Sequence, residues 1–186
     1  MATIAVDLAT ETAEQFFLPP LGVPLDDLKR LQSSSGDTLH PRHLQMRSDD
    51  EVLPYVSSVH LACGLHSGDP ITMARTASAL HAKGVELGAH PSYPDLFRFG
   101  QRRVGLSSED LTSVILYQFG ALAAVLRSFN AKIDHVKCHG ALAFDISYEE
   151  QFCEPMIAAV RAFDPNMIVV FMAGSPGLQH AKAKGL

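Results

Sequence analysis

Apolar residues along this chain switch repeatedly between the two-residue period of a strand and the 3.6-residue period of a helix. Thr3 to Leu8 alternates weakly and predicts a first strand, with Asp7 near its end and Glu11 and Glu14 just beyond. From Leu18 to Asp50 no period is sustained. Pro-Pro, Ser-Ser-Ser-Gly-Asp and His-Pro interrupt it, which predicts an irregular insertion or linker with a helical turn at Leu25 to Leu31. Regular patterning follows. Ser57 to Ala62 reads as a strand and Pro70 to Lys83 as a helix, with Asp69 at the N-cap, Pro70 at the first helical position and Gly84 at the exit. Val85 to Ala89 is the next strand. Ser107 opens a long helix with a Ser-x-x-Asp cap; Leu111, Val114, Ile115, Leu122, Val125, Leu126 and Phe129 keep helical spacing, and Asn130 stops it. His135 to Cys138 predicts a strand, Glu149 to Phe163 a helix, Met167 to Ala173 an apolar strand buried on both faces, and Ser175-Pro176 the start of a last short helix.

The alternation of strand and helix makes a parallel sheet with right-handed crossovers the default, as one α/β domain over residues 1–186 in which 51–186 is the regular part. Alternation does not choose between an open sheet and a closed barrel, but both place reactive loops at the carboxyl ends of the strands. Three histidines leave such ends in succession: His66 shortly after Ala62, His90 directly after Ala89, and His139 directly after Cys138. Parallel neighbours lie roughly 5 Å apart, so these imidazoles can converge on one small volume. His135, Lys137 and His139 share one face of their strand and Val136 and Cys138 the other; Glu86, Gly88 and His90 likewise oppose Val85, Leu87 and Ala89. A polar face backed by an apolar one fits a barrel with helices outside and ionisable groups at its mouth.

Composition narrows the classes. Apolar residues make up 47% and charged residues 19% of 186 residues, enough for one substantial core. A net charge of -5 argues against broad attraction to nucleic acid or an anionic membrane. Cys63, Cys138 and Cys153 are widely spaced and read as reduced thiols in a cytoplasmic protein. No leader pattern and no apolar run near the roughly 20 residues of a membrane span stands out.

Beside the histidines, the loop Gly88-Ala-His-Pro-Ser-Tyr-Pro-Asp-Leu-Phe-Arg-Phe-Gly-Gln-Arg-Arg103 is the densest concentration of reactive side chains. Asp69 suits a helix cap and equally a substrate contact. Lys137, on an inward face, would be desolvated and suited to a carboxylate or to proton transfer, or would pair with Glu86 or Asp7. Arg102 and Arg103 offer forks for carboxylate or phosphate. His66, His90 and His139 are candidate metal ligands, although no diagnostic spacing such as His-Glu-x-x-His is present. His40, His43, His81 and His180 read as surface residues, and Cys63 and Cys138 as packing residues.

Four stretches, Leu61-Ala-Cys-Gly-Leu-His-Ser-Gly-Asp-Pro70, Gly88-Ala-His-Pro-Ser-Tyr-Pro-Asp95 with Phe99-Gly-Gln-Arg-Arg103, Leu116-Tyr-Gln-Phe-Gly-Ala-Leu122 and His135-Val-Lys-Cys-His-Gly-Ala-Leu142, resemble the motifs of the LamB/YcsF family, which comprises the A subunit of bacterial-type 5-oxoprolinase. The resemblance implies a seven-stranded barrel of the glycoside hydrolase/deacetylase type. It also implies ATP-dependent opening of the 5-oxoproline lactam to L-glutamate, with Mg2+ and with B and C partner subunits. On that reading His66, Asp69, His90, Lys137 and His139 are catalytic, and Asp7, Glu11, Tyr93, Asp95, Arg102 and Arg103 bind substrate or phosphate.

The family's acidic opening, Asp-Leu-Asn-Cys-Asp-Leu-Gly-Glu-Ser-Phe-Gly, is replaced here by Asp7-Leu-Ala-Thr-Glu-Thr-Ala-Glu-Gln-Phe16, which aligns Asp7, Glu14 and Phe16 and sets Glu11 in place of an aspartate. The usual asparagine two residues before Ala62 is His60, the proline between lysine and histidine is Cys138, and Tyr-Asn becomes Ala143-Phe144. A full barrel takes about 250 residues, so the expectation is a barrel incomplete at its C-terminus. Two other readings carry different tests: a metal-dependent amide or deacetylase-type hydrolase, and a non-catalytic binding or scaffolding homologue.

Overall fold

In the computed structural model, residues 9–12 and 55–186 are described. The strand expected at Thr3 to Leu8, the candidate Asp7, the segment Leu18 to Asp50 with its helical turn, and His40 and His43 lie outside them.

Five strands form one parallel sheet in the order β1 (Ala9–Thr12), β2 (Ser58–Ala62), β3 (Glu86–His90), β4 (His135–Lys137), β5 (Ile168–Val170). Between and after them run α1 (Pro70–His81), α2 (Ser108–Arg127), α3 (Gly140–Tyr148), α4 (Glu150–Phe163) and α5 (Pro176–Ala183), with a 3-10 turn at Leu96–Arg98. Spatial order follows chain order without a reversal. Right-handed crossovers that always step the same way leave their helices on one face of the sheet, whereas a doubly wound sheet reverses and covers both. That progression is the one that curls into a barrel, and it answers the question the alternation left open.

The register sorts side chains by face. Val59, Leu61, Leu87, Ala89 and Val136 join the core with Ile115, Phe119, Leu122, Leu142, Met156 and Val160 of the helices. The other face carries two rows: Glu11, His60, Gly88, His135 and Ile168 are register partners in turn, and Ala62 pairs His90 while Lys137 pairs Val170. β5 corrects an expectation. It spans only Ile168–Val170, and Ile168 and Val170 are 66% and 37% exposed because they lie on the face without helices.

Local chemistry explains the element ends. Asp69 accepts from Ile71 N at 3.0 Å and Thr72 N at 3.2 Å, and Pro70 follows it as the first helical residue. Ser107 caps α2 through Asp110 N at 3.1 Å. Along α2, Leu111, Ile115, Phe119, Leu122 and Leu126 are buried at helical spacing, and Asn130 ends the turn with φ 60°. Helix α2 is long and apolar enough to cross a membrane by length and composition alone, but here its apolar face packs into the core and α2 lies on α4. Helix α3 has no counterpart among the expected elements: it begins at a glycine with φ 57° and buries Leu142, Asp145, Ile146 and Ser147, so no simple apolar stripe announces it.

Candidate functional site

The carboxyl ends of β2, β3 and β4 bring His66, His90 and His139 together, as their spacing predicts. All three are buried. His66 and His139 stack with ring centroids 4.2 Å apart and an interplanar angle of 7°, and His90 Nε2 faces His139 Nδ1 at 3.0 Å. The outer nitrogens meet backbone carbonyls: His90 Nδ1 lies 2.7 Å from Lys137 O and His139 Nε2 lies 2.8 Å from Phe99 O. A carbonyl oxygen only accepts, so His90 Nδ1 donates to Lys137 O, while His139 Nε2 faces both the Phe99 carbonyl and, at 3.3 Å, the Gln101 side-chain amide.

Glu11 sets a carboxylate beside this pair. It belongs to β1 rather than to a segment beyond the first strand, and its Oε1 lies 3.5 Å from His90 Nε2 and 2.8 Å from Lys137 Nζ. The hydrogen bond with His90, helped by Lys137, holds its carboxyl far below the usual range despite partial burial. Lys137 is 39% exposed, not desolvated as expected, and its partner among the described residues is Glu11 rather than Glu86. Glu11, Lys137 and His60 line, with Ala9 and Thr10, an open pocket of about 430 Å³.

Two more imidazoles belong to this face. The His60 ring packs edge-on to His135 at 4.8 Å and lies 5.8 Å from His90. Burial pushes the pKa of His60 and of His66 down to about 3, with neighbouring His135 adding to the shift at His60 and His90 at His66. Strand alternation places His135 on this face without giving it a role, and in the sequence His60 stands out only as a departure from a motif. Gly88 makes room for them: a Cβ there would stand 2.2 Å from His135 Nε2.

The loop from Gly88 to Arg103 builds the wall of the site. Gln118, buried on α2, accepts from Ser92 N at 2.9 Å and donates to Ser92 O at 2.9 Å, and Pro91 O accepts from His139 N at 2.8 Å. Phe99, with φ 56°, offers its carbonyl to His139 and sets its ring edge-on to His66 at 5.5 Å and to His139 at 5.1 Å. Gly100 follows with φ 69°, and a Cβ there would meet Ser92 Oγ at 2.2 Å. Only the fold reveals Gln118 and Phe99 as supports, since neither carries a reactive group.

Several candidates turn out to be occupied elsewhere. Tyr93 is buried and its hydroxyl donates to Asp145 Oδ2 at 2.6 Å, which with burial pushes its own pKa upward. Arg103 grips the same carboxylate through Nε at 2.7 Å and Nη2 at 2.5 Å, also reaches Glu149, and lies over the Phe152 ring at 4.6 Å. Arg102 pairs with Asp95 at 3.0 Å, and the other Asp95 oxygen is buried without a partner among the described residues. Asp69 is committed to capping α1. Tyr93 and Arg103 thus dock the loop on α3, and Arg102 and Asp95 pair within the loop, with both guanidinium groups still partly exposed. All three cysteines are free and buried, as packing residues, and burial raises the Cys63 thiol to about 12.

An all-parallel, sequentially ordered α/β sheet with ionisable groups on its helix-free face defines the (β/α)-barrel class. The chain belongs to the LamB/YcsF family, whose profile matches residues 31–186. It is 41% identical over 156 residues to the 5-oxoprolinase A subunit of Methylococcus capsulatus, covering 84% of this chain and 59% of that one. Against the 5-oxoprolinase A subunit of Acinetobacter baumannii (strain AB307-0294) it is 39% identical over 142 residues, covering 76% and 56%. The crystal structure of a lactam utilization protein from Thermus thermophilus matches with a TM-score of 0.78 and 33% identity, over 98% of this chain and 64% of that one. The chain thus spans less than two thirds of each of these relatives.

Proposed function

We propose that this chain takes part in hydrolytic opening of the 5-oxoproline lactam to L-glutamate, as a cytoplasmic component of the A type that works with B- and C-type partners and ATP. The observation that carries the reading is the chain of contacts from Lys137 and Glu11, which line the open pocket, to the buried pair His90 and His139 beneath them, in a chain whose family relatives are named as the A component of 5-oxoprolinase.

Each charge has a task in opening a cyclic amide. Lys137 is exposed enough to exchange Glu11 for the substrate carboxylate. An imidazole N–H of the His90–His139 pair donates a hydrogen bond to the lactam carbonyl and draws electron density from it. Glu11, kept ionised, accepts a hydrogen bond from the attacking water and orients it. Water oxygen bonds to the carbonyl carbon, the carbon–nitrogen bond breaks, and the ring nitrogen leaves with a proton as the amine of glutamate. Arg102 and Arg103 are engaged with Asp95 and Asp145, so a phosphate would have to displace a carboxylate to reach them. We assign nucleotide handling to the partner subunits.

Glutamate release from 5-oxoproline and ATP, with partner subunits added, tests the reading. Glu11→Gln should lower kcat at least 10-fold, and Lys137→Ala should chiefly raise KM. Unchanged kinetics in both variants, or no release by folded wild-type protein in the assembled complex, would overturn it.

A further inference from the structure

We infer that His60 is a ligand-binding residue of the pocket: its Nε2–H donates to a carboxylate oxygen of the molecule that Lys137 attracts, and so selects small carboxylic acids. The inference deepens the lactam reading and rests on the same pocket.

Placement is the first argument. His60 stands in the inward row between its register partners, Glu11 on β1 and Gly88 on β3. It lines the pocket with Glu11 and Lys137, although only 4% of the residue is exposed. His60 is therefore part of the pocket floor, beside the ion pair that Glu11 and Lys137 make at 2.8 Å.

The second argument concerns the atom it offers. His60 Nδ1 is buried and has no hydrogen-bond partner among the described residues. That leaves Nε2 as the polar atom the ring can present to the pocket. A buried N–H without an acceptor is rarer than a bare acceptor, so the proton of the neutral ring belongs on Nε2, which makes that atom a donor. His135, edge-on at 4.8 Å, holds the ring in place. Burial, with His135, His90 and Lys137 opposing a charge, keeps the imidazole neutral, its pKa pushed down to about 3 although Glu11 favours the charged form.

The third argument is the ligand group that fits. Lys137 and Glu11 balance in charge, and a ligand carboxylate that takes Lys137 from Glu11 has a second oxygen in need of a donor. Lysine is a mobile point charge and fixes no orientation. A packed, neutral imidazole N–H beside it supplies the directed bond. A ligand without a carboxylate forfeits both interactions. The asparagine usual at this position in the family motif also carries a side-chain N–H, which makes it the conservative replacement.

The test is ligand-observed NMR titration of the full chain, alone and with its partner subunits, using 5-oxoproline and pyrrolidinone, the same ring without the carboxylate. Pyrrolidinone should bind at least about 10-fold more weakly to the wild type, and His60→Phe, which keeps a ring against His135 but no donor, should weaken 5-oxoproline by about 10-fold or more. Pyrrolidinone affinity should not change in that variant, and His60→Asn should recover most of the loss. If the phenylalanine variant does not fold, His60→Leu carries the test. No binding of 5-oxoproline by folded wild type in either state, unchanged affinity in the variant without a donor, or an equal loss for both ligands overturns the inference. Selective loss in His60→Phe without glutamate release by the assembled wild type would leave the His60 donor standing and sink the lactam-opening reading. Glutamate release by His60→Phe at wild-type KM would keep that reading and sink the donor.

Discussion

Tyr93 and Arg103 meet on one oxygen of Asp145: the phenol donates to Oδ2 at 2.6 Å and the guanidinium Nε to the same atom at 2.7 Å. The loop that carries His90 is thereby fastened to α3, whose N-terminus follows His139 directly. Two strand ends are locked at the distance the imidazole pair requires.

Stability should reveal this fastening. Tyr93→Phe should lower the unfolding free energy by about 1.5 kcal/mol, the worth of a hydrogen bond to a charged group. Asp145→Ala should cost about 3 kcal/mol, because it also leaves a buried hydroxyl unpaired. Arg103→Ala should cost less, its guanidinium side chain being 45% exposed. Urea unfolding measures all three. Arg103→Ala with unchanged stability and a large rise in substrate KM would return that arginine to a binding role.

Gly88 and His135 form a steric pair. The ring lies where the glycine lacks a Cβ, and His60 crowds it from the other side at 4.8 Å. Gly88→Ala should therefore destabilise by about 2–3 kcal/mol through overpacking. Combining it with His135→Ala should restore much of that loss, a coupling readable from the four corners of a double-mutant cycle. Purely additive losses would show that the glycine serves some other need.

His60 should set part of the acid limb of stability. Its pKa is about 3 when folded and 6.5 in the unfolded reference, chiefly through burial, with His135, His90 and Lys137 opposing its charge and Glu11 favouring it. Between those values the unfolded chain binds the extra proton, so unfolding free energy rises with pH across the window and the contribution is lost as pH falls from 6.5 towards 3. His60→Asn should flatten that rise, by up to about 5 kcal/mol over the window. Parallel wild-type and variant curves in chemical denaturation at pH 4 to 7 would contradict it.

Much of this site is legible along the chain because strand ends in a parallel sheet are close in space by construction. Residues immediately after Ala89 and Cys138, and shortly after Ala62, have to approach one another once three strands are recognised. Capping by Asp69 and Ser107 is legible too, since a cap is settled within a few residues. Glu11 is half-visible, as a carboxylate near the first strand, but its meeting with Lys137 depends on the curl of the sheet and spans 126 positions. The occupation of Arg103 is invisible, because its partner Asp145 lies on α3, a helix without a plain apolar stripe.

The sequence by itself determined the parallel α/β order, the capped helices, the convergence of His66, His90 and His139, and the family, because each depends on local spacing or on motifs contiguous in the chain. Tertiary structure alone decided which charges pair with which. Loop residues Tyr93, Asp95, Arg102 and Arg103 look as reactive as the histidines when written in a row. Tyr93 and Arg103 meet a buried carboxylate on α3 and Arg102 meets Asp95 within the loop, whereas Glu11 and Lys137 open onto the pocket because no helix covers that face among the described residues.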